Sequence, residues 1–119
     1  MTKQELLQRT KAYALRVIKA VRALPTEHVA DVLGRQLLCA GTSVGANYRA
    51  ACRAKSTADF VNKLKIVEEE CDESLYWMEL LVESDSLPLR RLAALMQEGD
   101  EILSIIVAAI RTTRAQRTA

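Results

Sequence analysis

Apolar or small residues recur at alternating spacings of four and three along this chain, and this periodicity limits its fold more than any other feature. One series begins at Phe60 and ends at Leu81, with members at positions 60, 64, 67, 71, 74, 78 and 81. Because an α-helix completes a turn in about 3.6 residues, such a series lies on one face of a helix. A half-buried β-strand would alternate at every second residue. The periodicity therefore predicts amphipathic helices.

Three short segments interrupt the periodicity and divide the chain into four series. They are LPTEH at 24–28, KSTADF at 55–60 and ESDSLP at 83–88. Thr26 is placed to cap the second helix, and Ser56 forms a capping-box pattern with Asp59. We expect helices at about residues 3–23, 27–54, 57–84 and 88–113. The last helix is expected to end gradually within the polar tail RTTRAQRTA.

The composition agrees with a purely helical fold. The chain has 119 residues, two prolines, four glycines and five aromatic residues, and half of it is apolar. A chain of this length can bury one hydrophobic core, and its abundant alanine, leucine, glutamate and arginine favour helices. Helices joined by connections of a few residues pack as antiparallel neighbours. We predict an all-α, antiparallel up-down-up-down four-helix bundle that forms one domain over residues 1–119.

The stretch CAGTSVGANYRAACRAK at 39–55 raises the question of a phosphate-binding loop. A Walker-type loop needs Gly-x-x-x-x-Gly-Lys-Ser/Thr after a strand, whereas Gly41 and Gly45 are one residue closer together. The arginines of this helix exclude a dimerising membrane helix. On a helical wheel, Gly41, Gly45 and Tyr48 share one stripe. We therefore expect a neighbouring helix to approach closely there.

The fourth helix is apolar around almost its whole circumference between Ile102 and Ile110. One core face needs only a stripe, so a second burial partner is expected. We predict a subunit interface that combines this segment with the small-residue stripe of the second helix. Its members are Gly41, Gly45, Tyr48, Ile102, Ile105, Ile106 and Ile110. A contact between unlike surfaces has to close into a ring to avoid a filament, so we expect a cyclic homo-oligomer.

Charge is segregated along the chain, although the net charge is only +2. Residues 1–55 carry ten basic and three acidic side chains, residues 56–110 carry four and twelve, and the last nine carry three arginines and no acid. Two interpretations stay open: a face that binds nucleic acid, or solvated and intersubunit ion pairs between complementary helices. The candidate nucleic-acid-binding residues are Arg9, Arg16, Lys19 and Arg22 of the first helix with Arg35, Arg49 and Arg53 on the outer face of the second.

No set of residues forms a recognisable catalytic or metal site in the sequence. Cys39, Cys52 and Cys71 have no Cys-x-x-Cys spacing and are expected to be buried thiols in a reducing compartment. The acidic run at 68–73 lacks a Glu-x-x-His partner, because His28 is the one histidine, so ion pairs are its expected role. We predict no enzyme, no metal and no cofactor.

The sequence also predicts a cytoplasmic protein without a membrane-spanning segment. The longest aliphatic run, ILSIIVAAI at 102–110, has nine residues, whereas a span needs about 20. The N-terminal segment MTKQELLQRTKAY is charged from its third residue and contains no apolar signal core.

Residues 36–81, QLLCAGTSVGANYRAACRAKSTADFVNKLKIVEEECDESLYWMELL, resemble the four-helix-bundle proteins related to the large-subunit ribosomal RNA intervening-sequence proteins. The motifs SVxAN at 43–47, EEE at 68–70 and ESL at 73–75 carry the likeness, whereas AA at 50–51 stands where much of that family has Glu-Gly. The resemblance implies a small bundle that assembles into a ring, often a pentamer. A distant branch, the accessory proteins of diversity-generating retroelements, forms basic pentamers that bind nucleic acid and a reverse transcriptase, which implies RNA or DNA as a partner.

Two functional hypotheses follow. The first is a non-catalytic scaffold that binds structured RNA or DNA through arginine-rich helix faces, with an affinity that falls steeply with salt. The second is a protein-interaction adaptor whose basic and acidic faces serve assembly or a protein partner. The basic residues are not interleaved with aromatic ones, and no known RNA- or DNA-binding module is recognisable, which keeps the second hypothesis open.

Overall fold

Four α-helices make up the protein in the computed structural model, which describes the backbone of residues 1–118 and the side chains of residues 1–116. They are α1 (Lys3–Arg22), α2 (His28–Ala51), α3 (Thr57–Glu83) and α4 (Leu89–Thr118). The described residues contain no strand, so the predicted all-α class is confirmed. Ala119, the last residue of the predicted domain, lies outside the described residues.

The helices form a bundle in which each helix packs against its neighbours in the chain. Helix α2 packs against α1 and α3, α4 packs against α3, and a smaller contact between α4 and α1 closes the bundle. The described chain measures 51 × 21 × 20 Å, as expected when helices of 20 to 30 residues lie side by side. Each connection is five residues long, so successive helices run antiparallel. The predicted four-helix bundle is confirmed.

Side-chain oxygens cap the first three helices. Thr2 and Ser56 each accept a hydrogen bond from the backbone N–H three residues further on. Helix α2 differs from the prediction, because Glu27 rather than Thr26 accepts the backbone hydrogen bonds of Val29 and Ala30. A carboxylate at this position is also attracted by the helix dipole, and the two backbone hydrogen bonds lower the pKa of Glu27.

Helix α4 is longer than its polar end predicts. It continues to Thr118, whereas the sequence pattern predicts an end near residue 113. The hydroxyl of Thr113 donates to the carbonyl of Ala109 within the helix. Arginine, alanine and glutamine have high helix propensity, so the helix continues here although the apolar periodicity has ended.

The core consists of one apolar stripe from each helix. Its largest fully buried members are Tyr13, Leu37, Leu64, Met78, Leu81, Leu92, Ile102 and Ile106. Truncation of a buried leucine, isoleucine or methionine to alanine typically costs about 2–5 kcal/mol of the free energy of unfolding. These stripes therefore supply the main stabilisation of the bundle.

Two glycines of α2 allow α1 to approach closely. A Cβ atom on Gly41 would lie 2.7 Å from Cγ2 of Val17, and one on Gly45 would lie 3.3 Å from the backbone of Thr10. The close approach predicted for this stripe is confirmed, and the neighbouring helix is α1 of the same chain.

A buried polar cluster joins α1, α3 and α4. The hydroxyl of Tyr13 lies 2.8 Å from Oγ of Ser74, which donates to the carbonyl of Cys71 at 2.6 Å. The Cys71 thiol donates to the carbonyl of Gly99 at 3.2 Å. A Cβ atom on Gly99 would lie 2.6 Å from the Tyr13 hydroxyl, so this glycine makes room for the tyrosine. Every polar side chain of the cluster thus has a partner within the core.

Candidate functional site

Arg9, one of the predicted nucleic-acid-binding residues, links α1 to α4. Its Nε and Nη2 each donate to one oxygen of Glu98 at 2.7 Å, and Nη2 also donates to Glu101 at 2.9 Å. Bidentate pairs of this kind are among the stronger ion pairs, and the hydrogen bonds from Arg9 lower the pKa of the Glu98 carboxyl. The positive charge of Arg9 is therefore compensated. We call this contact the α1/α4 seam.

Arg35 also has a partner in its own chain. Its guanidinium pairs with Asp31, one turn earlier on α2, and both side chains are exposed. Exposed pairs at this spacing contribute about 0.3–0.5 kcal/mol. Arg35 lies beside the connection between α1 and α2. It is 14 residues from Arg49, or about 21 Å along the helix axis, so it does not join Arg49 and Arg53 in one site.

Arg16 and Lys19 lie where α1 meets the beginning of α4. They line a shallow depression of about 280 Å³ together with Arg91, which is not one of the predicted residues. Arg22 is exposed at the end of α1. None of the three predicted residues forms an ion pair with another described residue. Arg16, Lys19 and Arg91 form a small basic patch, and none of them lines the groove that holds Arg49 and Arg53.

A larger groove, of about 670 Å³, runs between α1 and α2. Its basic side chains are Lys3 and Lys11 of α1, Arg49 of α2 and Arg53 of the turn that follows α2. All four are exposed, and none has an ion-pair partner in the described part of the chain. The described residues that line the groove include no carboxylate. We call it the basic groove, because it gathers four uncompensated positive charges in one cleft.

The basic groove has an apolar floor beneath its charged rim. The half-buried side chains of Leu7, Ala14 and Cys52 line it, and Gly45 marks the point where the two helices meet. The exposed amides of Gln4 and Gln8 stand on the rim and can both donate and accept hydrogen bonds. The groove therefore offers positive charge, amide groups and apolar surface to the same ligand.

Sequence reasoning found the α2 half of the basic groove and missed the α1 half. Lys3 and Lys11 were not selected, because the cations of α1 spread over a broad face and only the position of α2 decides which of them meet Arg49. One signal was present. Gln4, Gln8 and Lys11 repeat at spacings of four and three, which marks a polar stripe without acid.

All seven predicted interface residues pack against other parts of their own chain, although to different extents. The buried members are Gly41, Tyr48, Ile102, Ile106 and Ile110, while Gly45 packs against α1. Ile105 remains half-exposed. Helix α4 contacts both α3 and α1, which accounts for its wide apolar surface without a second subunit. The interface prediction gains no support from this burial, and the oligomeric state stays a prediction.

The three cysteines differ in exposure. Cys71 is buried, and this burial raises the pKa of its thiol to about 12. Cys52 is half-buried, and Cys39 is exposed, so the expectation that all three are buried was wrong. Residue 39 faces outward because its helix turns Leu37 and Ala40 towards the core. Among the described residues, no three His, Cys, Asp or Glu side chains are grouped so that they could hold a metal ion.

These features define the class of protein: a small antiparallel helical bundle with a basic groove between its first two helices. The family model of the 23S rRNA-intervening sequence protein matches residues 2–108. The chain belongs to this family, and the resemblance seen in its sequence is confirmed.

A solved structure agrees with this assignment. It is the crystal structure of a protein of unknown function from the S23 ribosomal protein family of Bacteroides thetaiotaomicron, to which this chain is similar with a TM-score of 0.86. The sequences are 32% identical, and the match covers 93% of this chain and 99% of the other. No curated protein matches the chain. Within residues 1–118, none of the helices is both long and apolar enough to cross a membrane.

Proposed function

We propose that this protein is a non-enzymatic scaffold that binds nucleic acid through the basic groove. The observation that carries the proposal is the set of four exposed, uncompensated cations, with no carboxylate among the described residues that line the groove. Binding to a phosphate backbone is driven by cations that replace its condensed counterions. The family name refers to intervening sequences of 23S rRNA, so structured RNA is the first ligand to test.

The expected recognition is of the backbone rather than of the sequence. Lys3, Lys11, Arg49 and Arg53 supply charge to phosphates, and the described lining residues include no aromatic ring for stacking. Four phosphate contacts predict a slope of log affinity against log salt between about −2.8 for a single strand and about −3.6 for duplex DNA.

Fluorescence anisotropy tests the proposal directly. A labelled RNA hairpin and a duplex DNA of equal length are titrated with protein across a potassium chloride series. The double variant Lys11→Glu/Arg49→Glu is expected to bind at least about tenfold more weakly, with a shallower salt slope. The control Lys65→Glu/Arg90→Glu has the same net charge but changes exposed cations outside the groove, and it is expected to bind like wild type. Equal losses in both variants, or no binding at low salt, would contradict the proposal.

The scaffold is proposed to act in the cytoplasm and without catalysis. The three free cysteines suit a reducing compartment. The Cys71 thiol is sealed in the core, and its raised pKa of about 12 keeps it protonated at neutral pH, so it is a poor nucleophile. Turnover of a substrate by the pure protein, lost when a single cysteine or His28 is changed, would overturn this part of the proposal.

Self-assembly into a closed ring is a further part of the proposal and is supported by the family resemblance. The exposed apolar side chains available for such contacts include Leu15, Val29, Val32, Ile66, Tyr76 and Leu89. A ring would repeat the basic groove in each subunit and strengthen its field. Light scattering is expected to give a multiple of 13.2 kDa, and a mass of one chain at micromolar concentration would argue against the ring.

A protein-interaction adaptor is the second candidate function. The observation that favours it is the apolar floor of the basic groove, because an acidic amphipathic helix could lay its apolar face there and its carboxylates along the rim. Under this alternative, Lys11→Glu/Arg49→Glu changes the molar mass or removes a protein partner, and neither RNA nor DNA binds at low salt.

A further inference from the structure

We infer that the basic groove holds one unpaired strand of nucleic acid, with its phosphates on the cationic rim and its sugars and bases against the apolar floor. This inference rests on the proposed function and narrows it from nucleic acid in general to single strands.

The positions of the cations describe one narrow track. Lys3 and Lys11 are eight residues apart, or about 12 Å along α1, whereas Arg49 lies in the last turn of α2 and Arg53 in the turn that follows it. The axes of packed helices lie about 8–10 Å apart, and the contact at Gly45 brings α2 to within van der Waals distance of α1. Duplex DNA presents two phosphate strands separated by grooves of about 6 and 12 Å. A cleft between two closely packed helices admits a single such strand, which the cations on both sides of the groove can reach.

The apolar floor distinguishes an unpaired strand from one strand of a duplex. The backbone ridge of a duplex turns charged phosphate oxygens outwards, and docking it would press them against Leu7, Ala14 and Cys52 without hydrogen-bond partners. In an unpaired strand, the sugars and bases are free to turn towards an apolar surface while the phosphates meet the rim. The floor therefore favours the unpaired strand.

The rim chemistry fits the same ligand and predicts little dependence on base sequence. The amides of Gln4 and Gln8 can donate to phosphate oxygens or pair with sugar hydroxyls. No aromatic side chain occurs among the described residues that line the groove, so bases meet aliphatic surface rather than a stacking platform.

Competition anisotropy with three probes of equal length tests the inference. The probes are an unstructured 12-nucleotide strand, the same sequence paired with its complement, and an abasic deoxyribose-phosphate strand. We expect the unstructured strand to bind at least about tenfold more tightly than either of the others at the same salt concentration. The variant Lys11→Glu/Arg49→Glu is expected to weaken the binding of all three probes and to remove the preference for the unstructured strand.

A second variant separates the contribution of the apolar floor to binding from the contribution of the positive charges. Ala14→Gln places a longer polar side chain in the groove, whereas Ala108→Gln makes the same change on the exposed side of α4. Ala14→Gln is expected to weaken binding of the unstructured strand about fivefold and binding of the abasic strand by less, because the abasic strand meets the apolar surface with its sugars alone. Ala108→Gln is expected to change neither, and circular dichroism confirms that both variants fold.

The possible outcomes separate this inference from the proposed function. If the duplex binds as tightly as the strand and both are lost in Lys11→Glu/Arg49→Glu, the single-strand inference is overturned while nucleic-acid binding stands. Equal binding of the abasic and intact strands overturns the role of the floor. If no nucleic acid binds and an acidic amphipathic peptide does, both the inference and the proposed function fail.

Discussion

Arg9 and Lys11 stand two residues apart on α1, but they lie in two different electrostatic environments. Arg9 turns towards α4 and is held by Glu98 and Glu101 in the α1/α4 seam. Lys11 turns towards α2 and shares the basic groove with Arg49. The acidic half of the sequence thus neutralises one flank of α1 and leaves the other flank positive.

The comparison shows that the neighbouring helix decides what a cation on α1 does. In the α1/α4 seam, charge stabilises the fold, because acid and base are within hydrogen-bond distance and partly shielded from water. In the basic groove, like charges face each other in solvent and do not stabilise the fold. Substitutions on the two sides of α1 are therefore expected to affect different properties.

Substitution Gly41→Ala tests the close packing of α1 on α2 near the basic groove. Its Cβ would lie 2.7 and 2.8 Å from the two methyl groups of Val17, a stiff and fully buried side chain. We expect a loss of about 2–3 kcal/mol in the free energy of unfolding, although alanine has the higher helix propensity. Urea denaturation followed by circular dichroism measures it.

Gly34→Ala is the matched control for this change. The Cβ at this position would meet the Cδ1 end of Leu24, a half-buried and flexible side chain that can rotate away. The gain in helix propensity, up to about 1 kcal/mol, is then expected to dominate. Stabilisation of similar size in both variants would show that α1 and α2 are not packed closely at Gly41.

The buried hydrogen bond between α1 and α3 is tested by the pair Ser74→Ala and Tyr13→Phe. Ser74→Ala leaves the Tyr13 hydroxyl buried without a partner and is expected to cost about 2 kcal/mol. Tyr13→Phe is expected to cost only about 1 kcal/mol, because the Ser74 hydroxyl keeps its hydrogen bond to the Cys71 carbonyl. Thermal unfolding of the two variants gives the comparison, and a reversed order would be inconsistent with the hydrogen bonds described.

The charge comparison itself is tested by Arg9→Gln and Lys11→Gln. Arg9→Gln removes the bidentate pair with Glu98 and is expected to cost about 1–2 kcal/mol of stability. Lys11→Gln is expected to change stability by less than about 0.5 kcal/mol, because the side chain is exposed and has no ion-pair partner among the described residues. Equal losses in the free energy of unfolding, measured by urea denaturation, would remove the distinction between the two flanks of α1.

Lowering the pH is expected to have the smallest effect, and it tests the ion pair of the α1/α4 seam. Arg9 holds the pKa of Glu98 below its ordinary value of 4.5, so the stabilisation from this pair is complete above pH 4.5 and is lost as the pH falls through the lower, folded-state pKa. We expect the difference in stability between wild type and Arg9→Gln to shrink as the pH falls below 4.5. A difference that stays constant down to pH 2 would assign the effect of Arg9 to packing.

The fold could be predicted from the sequence because its signals are local. The series from Phe60 to Leu81 and the capping box at Ser56 each lie within one helix, and short connections leave few arrangements open. The end of α4 was misjudged, because helix propensity alone carries it to Thr118 after the apolar pattern stops.

The candidate site could be predicted only in part, because it depends on which helices meet. The partner of Arg9 is Glu98, 89 residues away, so no local pattern shows that its charge is compensated. The contribution of Lys3 and Lys11 likewise becomes visible only when α2 is packed against α1. Ile106 is fully buried within its own bundle, and the number of helices that surround α4 cannot be read from the composition of α4 alone.

The central claim is that uncompensated positive charge, rather than total positive charge, forms the ligand-binding surface. Its most direct test is the salt dependence of RNA affinity in wild type and two variants. Wild type is predicted to show a slope of log affinity against log salt of about −3. Lys11→Gln/Arg49→Gln is predicted to show about half of that slope, and Arg9→Gln the full slope, although it removes a positive charge from the same helix. A slope reduced by Arg9→Gln and unchanged by the groove variant would contradict the claim.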